Sequence, residues 1–189
     1  MDLEPGNIYH IYNQGNNKQI IFFRRENYFY FLKKIEQYLS QNADLLAWCL
    51  MPNHFHLIIA MKSDWITGSK MGPLNSSIAI LLRSYTRAIN IQENRSGSLF
   101  REKTKAIWLG SIESEKLKYQ NKTEHEPIPD ADEEYLITCF RYIHQNPVKA
   151  GLVQKDTDWE YSSARDFASL REENLINKRL SGQLGLCIS

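Results

Sequence analysis

The stretch Leu50–Ile59, LMPNHFHLII, places two histidines one residue apart inside an apolar run. Side chains alternate across a strand, so His54 and His56 share one face while Phe55 takes the other. Pro52-Asn53 is a turn dipeptide, and Ala43–Met51 before it reads as a strand. The spacing predicts a hairpin of Ala43–Met51 and His54–Met61 with the imidazole pair at its turn end. Two imidazoles at i, i+2 on one strand face can hold one cation between them. A pair of half-buried, satisfied histidines on the solvent side of a sheet is the other reading of the same spacing.

Working outward, Asn7–Gln14 alternates Ile8, His10 and Tyr12 against Tyr9 and Ile11, the pattern of a strand. Arg24–Ser40 carries Tyr28, Phe29, Leu32, Ile35 and Leu39 at helical spacing. Leu74–Ile91 is a second amphipathic helix, with Leu74, Ile78, Leu81, Tyr85 and Ala88 inward and Arg83, Arg87 and Asn90 as a polar stripe. Leu99–Leu109 is predicted as a fourth strand. Ser111–Asp132 is polar, contains Pro127 and Pro129, and reads as a surface excursion. Asp132–Asn146 is predicted as a helix capped by Asp130 or Asp132 and stopped by Pro147 and Gly151. In the tail, Ser162 or Ser163 is placed to start a short helix. The order β-α-β-β-α-β matches an α+β, ferredoxin-like split β-α-β sandwich: an antiparallel sheet with helices on one face. A further helix and a tail follow.

Composition is that of an ordinary globular chain, 42% apolar and 24% charged over 189 residues. The apolar runs are too short to span a membrane, and no secretory signal is visible. Cys49, Cys139 and Cys187 are odd in number and widely spaced, as expected of reduced thiols in a cytoplasmic protein. The net charge of +1 hides an uneven distribution. Lys18, Arg24, Arg25, Lys33 and Lys34 face only Glu26. Arg83, Arg87, Arg95, Arg101, Lys103 and Lys105 face only Glu93 and Glu102. Between Glu113 and Glu134, acids outnumber lysines. Two basic regions of this kind suit phosphate binding, or are solvated faces.

The helix at Asp132–Asn146 can supply partners to the imidazole pair. At roughly 100° per residue, Leu136, Cys139, Phe140 and Ile143 form its buried stripe. Tyr142 lies at the edge of that stripe, Asn146 stacks over Tyr142, and His144 faces elsewhere. A boundary tyrosine with a wet hydroxyl has the same position.

CLMPNHFHLII (Cys49–Ile59), RYIHQNPVKAGLV (Arg141–Val153) and DWEYSS (Asp158–Ser163) resemble the REP-associated tyrosine transposases, members of the single-tyrosine HUH (His-hydrophobe-His) transposases. HIYNQGNNKQIIF (His10–Phe22) and the segment from YTRAIN to RSGSLFREKTK (Tyr85–Lys105) are similar to the same family. The resemblance runs in order from Ile8 to Ser163. It implies a single HUH nuclease domain over residues 1–170, with a polar acidic insertion at about 111–132 and a C-terminal tail at 171–189. It implies that His54 and His56 hold a divalent metal, Mg2+ or Mn2+, and that Tyr142 is the nucleophile that cuts single-stranded DNA. The related enzymes complete the metal shell with a glutamine four residues after the tyrosine. Here that position is the shorter Asn146, while Gln145 is one residue early. The basic segment Phe100-Arg101-Glu102-Lys103-Thr104-Lys105 also departs from the family's usual Phe-Gln-x-Arg-Phe-Lys.

The resemblance implies a transposase or endonuclease that cleaves and rejoins single-stranded DNA at hairpin-forming palindromic repeats through a 5′-phosphotyrosine intermediate. Lys18, Arg24, Arg83, Arg87, Arg101, Lys103 and Lys105 are the phosphate-contact candidates. Tyr12, Phe100 and Trp108 are candidates to stack bases or to sit in the core. No membrane partner is expected. The related enzymes include homodimers and monomers, and the expected location is the bacterial cytoplasm, at the nucleoid. A catalytically silent, domesticated nucleic-acid-binding protein on the same fold is the main alternative. A histidine phosphoesterase would need a second histidine-bearing strand motif, and the sequence displays none.

Overall fold

The computed structural model describes residues 3–63, 74–121, 135–171 and 175–188. Within them a four-stranded antiparallel sheet has the order β2-β3-β1-β4, with β1 Asn7–Gln14, β2 Ala43–Met51, β3 His54–Met61 and β4 Lys105–Ser111. Helices α1 (Arg25–Leu39) and α2 (Leu74–Gln92) connect the strands in the ferredoxin-like manner. The expected α+β class, the hairpin and its two-residue turn are all present.

Alternation along the strands feeds two cores. Tyr9, Ile11, Trp48, Leu50, Phe55, Leu57 and Ile59 pack with α1 and α2 on one face. Ile8, Ala47, Cys49, Met51, Ile58 and Ala60 pack on the other. A bulge between Leu45 and Ala47 resets the phase of β2, so Leu46 and Ala47 both belong to the second core. The helices of the six-element unit lie on one face, as expected. The seventh element does not join them: α4 (Tyr135–Lys149) covers the opposite face through Leu136, Cys139, Phe140 and Ile143. The apolar even-numbered residues of β1 and β3 need that cover, because α1 and α2 reach only the odd-numbered set.

Other boundaries differ from the sequence reading. The fourth strand begins at Lys105 rather than Leu99, because residues 101–104 are pinned irregularly by the buried Asn13 amide, which donates to the Arg101 carbonyl (3.1 Å) and to Thr104 Oγ1 (2.9 Å). The polar excursion opens as helix α3, Ile112–Asn121. Ser111 Oγ accepts from the Ser114 amide at its start, and Glu113 and Glu115 lie in its first turn. The rest of that insertion, with the predicted caps Asp130 and Asp132, lies outside the described residues. Pro147 does not stop α4, which runs through it to Lys149. Its ring removes the amide that would bond the Ile143 carbonyl. The Asn146 amide nitrogen turns back towards that turn, donating to the Tyr142 carbonyl at 3.0 Å and reaching the Ile143 carbonyl at 3.5 Å.

Ser163 precedes the short helix α5 (Ala164–Phe167) as expected. The tail helix α6, Lys178–Gln183, packs on β2 at the end remote from the hairpin turn. There the Asn177 amide donates to the Leu45 carbonyl (2.8 Å) and Ser181 Oγ to the Leu46 carbonyl (3.3 Å). Among the described residues no helix is long and apolar enough to cross a membrane.

Candidate functional site

The second face of the sheet is apolar at one end and polar at the other. Register pairs Tyr12 with His56 and Gln14 with His54 across β1 and β3. His10, Tyr12, Gln14, His54 and His56 therefore share a face, and paired Cβ atoms on such a ladder lie about 5 Å apart. Tyr142 reaches this cluster from α4, with its ring centroid 5.6 Å from that of His56 in an edge-to-face contact. The cavity between them, about 340 Å³, is lined by Tyr12, Gln14, His54, His56, Tyr142 and the cations Arg101, Lys103 and Lys105. Among the described residues no carboxylate lines it. Tyr142 is 43% exposed, so its phenol is open to a ligand. The Lys149 ammonium sits 5.5 Å from the centre of its ring.

The orientation of each imidazole is fixed by a partner on its Nδ1 side. The Asn53 amide nitrogen donates to the Lys18 carbonyl (3.3 Å), which leaves Asn53 Oδ1 to face His54 Nδ1 at 2.6 Å. That oxygen can only accept, so His54 Nδ1 carries the proton and Nε2 keeps its lone pair. Asn53 is itself anchored. The Gly15 amide donates to its carbonyl at 2.8 Å, and the Ile21 amide donates to the Pro52 carbonyl at 2.8 Å. Gly15 must be glycine for this approach, because a Cβ there would lie 2.2 Å from the Gln19 carbonyl oxygen.

His56 Nδ1 lies 2.8 Å from His10 Nε2 in a buried pair with stacked rings. In the tautomer in which His56 Nδ1–H donates to His10, His56 Nε2 keeps a free lone pair, and that atom is buried without a protein partner among the described residues. Burial holds all three imidazoles below the ordinary histidine range. His10 is lowered to about 4, and His56 to about 2 with help from its two histidine neighbours. They are neutral at pH 7, the form that ligates a cation.

His54, His56 and Tyr142 are thus brought together as expected, with Arg101, Lys103 and Lys105 beside them. Asn146 is not among the residues that line the cavity. Gln145 donates to Asp156, and His144 is buried against Ser163 and Phe167 on the far side of α4. Lys18 is exposed beside Asn53, near the His54 end. Arg24 lies elsewhere, paired with Glu93 at 3.2 Å. Arg83 and Arg87 line a separate groove. Tyr12 lines the cavity, Phe100 is core, and Trp108 is exposed on β4. The sequence reading missed His10, Asn53 and Gln14. Their signal was available: a ferredoxin-like order places β1 beside β3, and His10 and Gln14 have the parity of the histidine face.

Among the described residues no group of three or more His, Cys, Asp or Glu side chains is arranged around one metal position. The donors that do converge are two imidazole nitrogens with free lone pairs, the Gln14 carboxamide and the Tyr142 phenol. That mixed set fits a cation that takes the rest of its shell from water or substrate oxygens.

A search of solved structures finds a REP-associated tyrosine transposase bound to a REP hairpin, with a TM-score of 0.59 at 15% identity over 93% of this chain and 87% of that one. The chain has the fold of that transposase. No protein-family model matches the sequence, and no curated protein matches it. At this identity the roles of individual side chains rest on the geometry given above.

Proposed function

We propose that the protein cleaves and rejoins single-stranded DNA, with Tyr142 as nucleophile beside a divalent cation held by His54 and His56. The observation that carries this reading is the edge-to-face contact of the Tyr142 ring with His56 in a cavity walled by three cations and, among the described residues, no acid. The solved transposase of the same fold, bound to a REP hairpin, supports it.

His54 and His56 would hold Mg2+ or Mn2+ through their Nε2 atoms, with the Gln14 carboxamide oxygen opposite His54 a better-placed third ligand than Asn146. When bound, the cation supplies charge withdrawal from a non-bridging phosphate oxygen. Arg101, Lys103 and Lys105 draw the phosphate backbone into the cavity and hold it there. Tyr142 Oη attacks phosphorus in line. The P–O3′ bond breaks, the phenolic proton passes to solvent, and the departing 3′-oxygen takes up a proton. The products are a 5′-phosphotyrosine and a free 3′-hydroxyl. The ester energy is conserved, so attack by another 3′-hydroxyl rejoins strands without a nucleotide cofactor.

His10 does supply a histidine on a second strand, as a histidine phosphoesterase would require. It does not line the cavity, and its Nε2 is bonded to His56 Nδ1, so it stands behind the imidazole that would meet a substrate. The test is incubation with a single-stranded, hairpin-forming oligonucleotide and Mn2+. The full chain yields a denaturation-resistant protein–DNA adduct, lost with Tyr142→Phe or a chelator. An undiminished adduct in Tyr142→Phe overturns the assignment, and binding without any adduct points to a silent DNA-binding protein.

A further inference from the structure

A cavity larger than the catalytic one lies beside it. An open groove of about 1050 Å³ runs along the outer side of α2, walled opposite by residues 94–104. Arg83 and Arg87 stand one turn apart on α2, and Arg95 and Arg101 line the same groove, against Glu102 as the single acid among the described residues. Arg83, Arg87 and Arg101 are exposed, and no carboxylate of the described residues pairs with them. Ile91, 74% exposed, adds an apolar side chain at one end of the groove. Arg101 also lines the catalytic cavity, so the two spaces share a wall.

We infer that this groove is a track for unpaired DNA, continuous through Arg101 with the catalytic cavity. The inference rests on the DNA-cleavage reading and adds a second binding element to it. Exposed arginines without carboxylate partners among the described residues suit an anionic occupant, and the Arg83–Arg87 step, about 6 Å of helix rise, matches two successive phosphate contacts. Ile91 selects between kinds of nucleic acid. A duplex turns its phosphates outward and hides its base faces, so it has nothing to place on Ile91. An unpaired strand can set its phosphates on the arginines and a base on Ile91. A concave groove also fits a single strand better than the convex side of a double helix.

The test measures binding of the full chain to single strands of about 6 and about 20 nucleotides, lengths that bracket ordinary single-strand sites. The longer strand binds at least about tenfold tighter to wild type, and Arg83→Ala/Arg87→Ala removes that advantage. The salt slope on the long strand falls by about 1.4, the share of two phosphate contacts on single strands. Ile91→Ala weakens the long strand without changing the slope. A folded double variant that keeps its length advantage overturns the track. So does a blunt hairpin stem, without unpaired ends, that binds as tightly and loses as much in the double variant. If short strands still give the Tyr142 adduct while length adds nothing, only the track falls. If no single strand binds and no adduct forms, the cleavage reading falls with it.

Discussion

Phe55 and His56 are adjacent in sequence, and their surroundings could hardly differ more. Phe55 meets Phe31 and Phe100 in a core closed by α1 and α2. His56 lies on the other face, at the end that α4 does not cover with apolar side chains, against His10, His54 and Tyr142. One face satisfies its residues by burial alone. The other buries imidazoles whose Nδ1 partners come from the protein, while His56 Nε2 has none. A buried polar atom without a partner costs roughly 1–3 kcal/mol. The face packed by α1 and α2 holds such an atom too, Trp48 Nε1, so what sets His56 Nε2 apart is that its imidazole lines the cavity beside His54 and Tyr142.

That contrast can be broken by substitution. The largest effect is expected for His54→Ala/His56→Ala, which lowers the rate of adduct formation in Mn2+ by about 10³-fold in a protein that still folds. Comparable loss in stability with retained chemistry would erase the distinction. On the opposite face, Phe55→Ala costs about 3–5 kcal/mol in denaturant unfolding, through transfer and cavity terms together. His56→Leu combined with His10→Phe sharpens the comparison, because the pair removes the unpartnered nitrogen without orphaning His10 Nε2. It raises the melting temperature of the metal-free protein while abolishing cation binding, the trade expected of a strained functional position. A lower melting temperature would show that His56 serves stability instead.

Smaller effects separate the supporting residues. His10→Phe weakens Mn2+ binding about 10–100-fold, as removal of an orienting partner does elsewhere, with His54 and His56 untouched. Unchanged Mn2+ affinity would mean that His56 holds its orientation without His10. The smallest difference is between the two carboxamides. Gln14→Ala reduces Mn2+ affinity several-fold, and Asn146→Ala does so less, because only Gln14 lines the cavity. The reverse order would restore Asn146 as the third ligand.

Much of this was legible in residue order. Period-two alternation put Phe55 and the two histidines on opposite faces, and Pro52-Asn53 marked the turn between two strands whose observed bounds are the expected ones. The helical spacing of α4 separated Tyr142 from His144 correctly. What the sequence did not carry is register between distant segments. His10 and Gln14 have the right parity, but their pairing with β3 depends on the sheet order. The fate of Asn146 depended on Pro147, which stays within α4 and draws the amide back to the helix. The strand expected from Leu99 failed for a similar reason, since one buried amide from Asn13 holds residues 101–104 out of the ladder and places Arg101 and Lys103 at the cavity.

The cation-and-tyrosine centre is tested most directly by trapping the covalent complex on a single-stranded oligonucleotide in Mn2+, digesting it, and sequencing the DNA-linked peptide by mass spectrometry. The account predicts one linkage, a 5′-phosphate ester on Tyr142, absent when His54 and His56 are replaced. A linkage on any other residue, or one on Tyr142 that persists without both imidazoles, contradicts it.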